Sequence, residues 1–300
     1  MANPMNTGGF SQLLSRDFNK ITPDSYLDTP VEYDKLANIS SMPDSYIREG
    51  QTMGLTGLRA TGEGELIDME GFKQGNEKTI YPSKFTLAVG ICQELYDDDR
   101  TGLIKKAFEE LGKAAAYTRE YKFWDILNSG FVTTTRTGID SAALFASHTL
   151  LGGGTYSNLV AAAALSMTSL QAGLTQFAKM VKENGVPCPA KAKLLIVPPE
   201  LRFVAEKLVK NEYNPENSNN EKNYNEVTSL QFMVCDYLTS TTAWFLAADK
   251  SQHDLRFINR KPLSLKSYDV PQNEVAVFQA SMRFIASFIN YRGVVGCAGA

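Results

Sequence analysis

Three hundred residues with 43% hydrophobic and 21% charged side chains make an ordinary globular composition, which excludes a wholly disordered chain. At 33.1 kDa a compact monomer would expose about 12,600 Å², roughly a quarter of the unfolded chain's surface, so a full hydrophobic core is affordable. The formal net charge of −3 and pI near 5.6 exclude the broad basic surface of a dedicated nucleic-acid binder.

Residues 1–55 are punctuated by Pro4, Pro23, Pro30 and Pro43, and no helical period lasts beyond two turns. An extended arm is expected there rather than a free-standing unit. The opening residues lack the basic start and apolar run of a secretory signal, and no apolar window of about 20 residues predicts a membrane span. Residues 56–90 read as a long hairpin. Gly62 and Gly64 lead into Leu66-Ile67-Asp68-Met69, Gly71 and Gly75 sit near the tip, and Phe85, Leu87 and Val89 alternate with Lys84, Thr86 and Ala88. The polar stretch 70–78 is expected to project, with Phe72 its single large apolar residue. Such a ribbon has little core of its own, so it is expected to be ordered by lying on another subunit. The expected contact residues are Phe72, Lys73, Lys78, Phe85, Leu87 and Val89.

Residues 101–128 form the clearest helix. Ile104, Phe108, Leu111 and Ala115 recur at four, three and four, and Tyr117, Tyr121 and Trp124 extend the apolar side. Asp97-Asp98-Asp99 places negative charge where the macrodipole favours it, and Asn128-Ser129-Gly130 supplies the stop. Such a helix spans about 40 Å and reads as a structural spine. Residues 130–160 are loop-rich, and Gly152-Gly153-Gly154 reads as a flexible connector without the lysine of a phosphate-binding loop. A second helix follows from Met167, Leu170, Leu174, Phe177 and Val181, with Gly185 ending it. Leu194-Leu195-Ile196-Val197 is a buried strand, and Pro199 starts a third helix to about Lys210.

Seven asparagines in the fifteen positions 211–225 predict a mobile, solvent-facing loop. Strands are expected at about 230–236, 242–248 and 254–258. Residues 275–291 fit both periods, and strand is favoured by the density of aromatic and β-branched residues. The mix is α+β. Residues 1–100 carry 9 Lys/Arg against 16 Asp/Glu, and residues 250–300 carry 7 against 3, so the beginning of one chain complements the end of a neighbour.

No nucleotide-binding, zinc-hydrolase or nucleophile-elbow motif is present, and no metal or cofactor is expected. Cys92, Cys188, Cys235 and Cys297 are far apart, which suits reduced thiols rather than a disulfide framework. His148 follows Ser147 in an extended stretch, where neighbours point to opposite sides. His253 lies in the polar turn 250–254 and is expected to be solvated. Neither histidine has a partner at a catalytic spacing, so replacing either His148 or His253 by alanine is expected to leave the subunit's assembly intact. A hydrolase or transferase would have to use Cys188 or His148, and the spacing supports neither. The aspartates 97–99 could hold a hard cation, but helix complementation explains them more simply. Trp124 and Trp244 read as core aromatics. An arm, a projecting hairpin and a spine helix describe a subunit stabilised partly by its neighbours.

These features, in this order, resemble the major capsid protein of tailed bacteriophages, the Hong Kong phage capsid fold, and within it the head subunits of Mu-like phages. The resemblance rests on Gly54-Leu55-Thr56-Gly57-Leu58-Arg59 followed by Tyr81-Pro82-Ser83-Lys84-Phe85, and on Glu94-Leu95-Tyr96-Asp97-Asp98-Asp99-Arg100-Thr101-Gly102 before the spine helix. Gly112-Lys113-Ala114-Ala115-Ala116, Leu144-Phe145-Ala146-Ser147-His148 with Tyr156-Ser157-Asn158-Leu159, and Leu194-Leu195-Ile196-Val197-Pro198-Pro199-Glu200-Leu201 are also similar. So are Trp244-Phe245-Leu246-Ala247-Ala248-Asp249 and Tyr291-Arg292-Gly293.

The resemblance implies an N-terminal arm (1–55), an extended loop (56–92), a peripheral domain (93–155 with 262–300) and an axial domain (156–261). It implies hexamers and pentamers that close an icosahedral shell around genomic DNA, bound without sequence preference on the inner face. The shell would be a virion capsid made in the host bacterial cytoplasm, with no membrane partner and with portal and decoration proteins as further partners. A separate scaffold, or none, is expected, because no charge-rich helical leader is visible. Some members crosslink an extended-loop lysine to an asparagine. Lys73 and Lys78 lie near the tip, but no matching glutamate context is present, so that chemistry is not carried over. An encapsulin-like compartment shares the fold and is the alternative.

Overall fold

The computed structural model describes residues 9–99, 102–210, 230–270 and 275–300. The asparagine-rich stretch 211–225 lies outside the described residues. The chain begins with helix α1 (Gly9–Asp28) and strand β1 (Asn38–Ser41), then a ribbon of β2 (Ile47–Met53) and β3 (Lys73–Ile80). Strand β4 (Ser83–Cys92) and the short helix α2 (Gln93–Asp98) lead to the spine helix α3 (Leu103–Asn128). Next come β5 (Ser147–Thr149), β6 (Thr155–Ser157), β7 (Leu159–Val160), α4 (Met167–Ala178), β8 (Leu194–Val197) and α5 (Arg202–Lys210). Strands β9 (Gln231–Val234), β10 (Trp244–Ala247), β11 (Leu255–Val270), β12 (Val275–Phe288) and β13 (Val294–Cys297) complete it.

Two larger sheets organise these elements, in the orders β1-β11-β12-β4 and β7-β13-β10-β8-β9. Helices α1 and α3 cover one face of the first. Phe18, Phe108 and Phe278 meet there with centroids 5.0–5.2 Å apart, surrounded by Leu14, Ile91, Ile104 and Leu111. The second sheet reads as continuous apolar runs because helices and loops bury it: all four residues of β10 and of β13 are buried. In β12, Ala276, Phe278, Ala280, Met282, Phe284 and Ala286 face inward in strict alternation, which settles the helix-or-strand ambiguity in favour of strand.

Three expectations change. The Pro-punctuated start contains a helix of 20 residues with Pro23 inside it. Its stability comes from packing rather than propensity: Leu14, Phe18 and Thr22 recur every fourth residue and lie fully against α3 and the sheet. Strand β11 is much longer than the expected 254–258. Its outer half is mostly exposed, with Leu263 and Leu265 only partly buried against the α1–α3 cluster, so its ladder to β12 defines it; Pro262 sits in the irregularity between Lys261 and Ser264. The alternating strand at 83–92 is present, but its partner is β12, not the ribbon. Alternation identifies a strand and says nothing about which strand it joins. The glycines at 152–154 form the turn of the β5–β6 hairpin, with Gly153 and Gly154 at φ 93 and 87.

The spine helix is buried along Ile104, Phe108, Leu111, Ala115, Phe123, Trp124 and Leu127, while Tyr117 and Tyr121 are about half exposed. Asp99 caps it by accepting from the Leu103 and Ile104 N–H groups, both at 3.1 Å. Glu120 is buried at mid-helix. It accepts from the backbone N–H groups of Glu32 (2.8 Å) and Tyr33 (3.1 Å) and from the Trp124 indole (2.9 Å), tying the chain after α1 to the spine. Gly112 lets the helices touch: a Cβ there would strike the Thr22 carbonyl and sit 3.0 Å from Ser25 Cβ. Gly112→Val is therefore expected to cost about 1–3 kcal/mol by overpacking. Chemical denaturation should show the loss, and a stability unchanged by the substitution would contradict this crossing.

Candidate assembly surfaces

The ribbon is tethered at its root and free at its tip. In β3, Lys78 Nζ donates to the carbonyls of Thr137 and of Phe288 (3.2 Å) and sits 5.2 Å over the Phe288 ring. Burial holds its pKa below the ordinary lysine value, with Asp140 and Asp254 pulling the other way. On β2, Glu49 pairs with Arg256 of β11, which also pairs with Asp254. Arg48 and Glu77 join the two ribbon strands across the ladder. Ile80 packs with Ile139 and Ile289 in a small separate cluster. Part of the charge complementarity between the ends of the sequence is thus met within one subunit, by Glu49–Arg256 and by Asp34–Lys250.

Beyond Met53 and before Lys73 the backbone leaves the ladder. Leu58, Leu66 and Met69 are more than nine-tenths exposed, and Ile67 and Phe72 are about three-quarters exposed. The loop holds itself only by surface contacts, such as Arg59–Asp68 and the Thr56 N–H donating to Glu70 (2.9 Å). The projecting part is therefore 54–72 rather than 70–78, with six large apolar residues, the half-exposed Leu55 among them, instead of one. The reason is that β2 lies outside the stretch read as a hairpin, which shifts the tip toward the N-terminus. Phe72 is at the end of the projecting loop, Lys73 begins β3 and is exposed, and Lys78 faces the body of its own subunit. Phe85 stacks on Phe284 (4.5 Å) and Val89 joins the α1–α3 cluster, so both are partly buried at home, while Leu87 is 54% exposed. The exposed set Leu58, Leu66, Ile67 and Met69 was missed as contacts because a sequence does not say which apolar residues stay outside.

Cys188 and His148 do not form a nucleophilic pair. His148 is fully buried while its neighbours Ser147 and Thr149 are exposed. Its Nδ1 lies 2.5 Å from Asp140 Oδ2 and its Nε2 3.2 Å from Asn158 Oδ1, and its ring stacks 3.5 Å from Tyr291. Asn158 in turn donates to the carbonyls of Leu144 (2.7 Å) and Val294 (3.1 Å) and accepts from Ala146 N–H (3.1 Å). Burial raises the Asp140 carboxyl pKa, but Asp140's contacts with His148 and with the Ala142 N–H outweigh it and hold the carboxyl below its usual value. The expectation that His148 lacks partners is corrected: this ring fastens the 138–146 segment to the β7–β13 edge of the second sheet. Among the described residues, no group of three His, Cys, Asp or Glu side chains is placed to hold a metal, and no helix is long and apolar enough to cross a membrane.

His253 is buried as well, not solvated. Its Nδ1 accepts from Leu255 N–H (3.3 Å), and burial pushes its pKa down to about 4. A histidine with a lowered folded value binds fewer protons in the native state than in the unfolded one. Its contribution therefore weakens the fold as pH falls from about 6.5 toward 4, by at most about 3 kcal/mol. The difference in unfolding free energy between wild type and His253→Asn should shift across that window, and a pH-independent difference would refute the assignment.

A family model described as phage capsid protein matches residues 76–296, well over half of the sequence. The chain belongs to the phage capsid protein family: it is a structural subunit of the virion capsid, assembles with copies of itself, and is not an enzyme. Its mixed α+β fold is the Hong Kong phage capsid fold of major capsid proteins. The capsid protein of cyanophage P-SCSP1u is similar at a TM-score of 0.60 and 12% identity, over 90% of this chain and 88% of that one. The bacteriophage JBD30 capsid, decorated with minor capsid protein trimers, is similar at 0.55 and 16% identity, over 70% and 92%. A virus-like particle from Pyrococcus furiosus is similar at 0.52 and 11% identity, over 94% and 98%. No curated protein sequence matches.

Proposed function

We propose that the subunit closes, as hexamers and pentamers, an icosahedral head of the Mu-like type around packaged genomic DNA. The carrying observation is the projecting loop 54–72, whose six large apolar side chains are half to fully exposed within the subunit. In this reading residues 1–55 are the arm and 56–92 the extended loop. Residues 93–155 with 262–300 are the peripheral domain, and 156–261 the axial domain around the five-fold and six-fold axes. The loop lies on a neighbour, with Phe72, Lys73 and Leu87 among the contacts and with Lys78, Phe85 and Val89 bracing its root and its receiving sheet. DNA meets the inner face without sequence preference. Portal and decoration proteins are further partners; the minor protein trimers on the JBD30 capsid support the second of these.

Negative-stain microscopy with sedimentation of the purified chain tests the reading. Closed shells, or curved sheets of hexamers, are the expected result. A discrete soluble oligomer of a few subunits would overturn it. Shells that enclose a protein cargo and no nucleic acid would instead favour a compartment.

A further inference from the structure

We infer that residues 66–70 of one subunit add a strand to the open edge of β4 in a second copy; this rests on the proposed covering of the loop by a neighbour. Strand β4 is an outer strand of its sheet, and among the described residues no strand pairs with its second edge. That edge is ten residues long and carries Lys84 as its single charge, so it lacks the usual protections of a free edge. Within the run 66–70, Ile67-Asp68-Met69-Glu70 has the alternation of a strand, yet in its own subunit it is exposed, makes only side-chain contacts to Thr56 and Arg59, and joins no ladder among the described residues. One subunit therefore holds a strand sequence without a sheet and a sheet edge without a strand.

The two faces match. Phe85 and Val89 point toward the α3 side of the sheet, so Leu87 does too, half exposed at the edge. Lys84 points to the other side, and there it lies directly opposite Arg283 of β12, which lies opposite Lys261 of β11. Three cations abreast repel one another. None of the three has an ion pair among the described residues, and Arg283 Nε is buried without a hydrogen-bond partner. An incoming strand that sets Ile67 and Met69 beside Leu87 sets Asp68 and Glu70 beside Lys84 and that row. The loop as a whole carries Glu63, Glu65, Asp68 and Glu70 against Arg59, so its charge is complementary to the surface it meets. The exposed Arg59–Asp68 pair is weak and readily exchanged for the new one.

Ile67→Pro removes a ladder donor from a residue that has no ladder at home, so the subunit should keep its circular dichroism while shell yield falls about tenfold or more. Ile67→Thr should retain shells. Asp68→Lys should block assembly and Asp68→Lys with Lys84→Asp should restore it. Full assembly of Ile67→Pro, or failure of the paired substitution to rescue, overturns strand addition. So does a Lys84→Glu shell that closes normally but retains less nucleic acid, which would assign the row to DNA instead. If shortening the whole loop leaves shells intact, the covering of the loop by a neighbour is itself wrong; if shortening blocks shells while Ile67→Pro does not, only the strand addition fails.

Discussion

A subunit in which an Asn-Gly turn replaces residues 54–72 and joins β2 directly to β3 is expected to fold normally and fail to form closed shells. The deleted residues contribute no buried core residue, and the five helices and both large sheets lie outside them. The turn suits a two-residue hairpin connection, so the ladder from Ile47 to Lys73 need not change register. Covering Leu58, Leu66, Ile67 and Met69 on a neighbour would contribute roughly 6–12 kcal/mol per contact before the loop's ordering is subtracted. Removing such a term from every contact in a shell leaves little to hold it closed. Circular dichroism should report unchanged helix content, and sedimentation should show capsomers or monomers. Normal shells from this variant would end the argument for the loop as an assembly element.

The largest expected loss of subunit stability is His148→Ala. It leaves Asp140 without its side-chain partner in a site where the carboxylate is only 9% exposed, empties the face of Tyr291, and leaves Asn158 Oδ1 with the Ala146 N–H alone. Breaking a buried pair of this kind costs about 3–5 kcal/mol. The denaturation midpoint should fall while the slope stays constant. A group with a lowered folded pKa, such as Asp140, adds stability above its unfolded value near 3.9 and loses it as pH falls through the lower folded one. The difference between wild type and His148→Ala should accordingly shrink in strong acid. A midpoint shift worth less than about 1 kcal/mol at neutral pH would show that the ring is replaceable.

Much of the fold was legible because the decisive signals are local. Ile104, Phe108 and Leu111 announce α3 by spacing, Leu194 to Val197 announce β8 by an unbroken apolar run, and Pro199 opens the turn before α5. What was not legible depends on distant partners. Helix α1 exists because Gly112, some ninety positions on, has no side chain to hold Thr22 away. The outer half of β11 exists because β12 offers it a ladder. The same logic governs the assembly surfaces. The run at 66–69 reads as a strand yet joins no ladder in the subunit, and its exposure was not legible, since apolar residues are ordinarily read as buried. His148 looked idle because Asp140 and Asn158 carry no signature at separations of eight and ten residues.

The ribbon's tethering has a mechanical side. Lys78 and the Glu49–Arg256 pair clamp one end to a rigid sheet, while the 19 residues between Met53 and Lys73 are held by little more than surface contacts. Nineteen residues folded back on themselves reach about 30 Å. Such an element behaves as a stiff root carrying a compliant strap: the strap's end can stay fastened while the angle between the bodies it joins changes. A shell of one repeated chain needs joints of that kind, because neighbours at its vertices and on its flats meet at different inclinations.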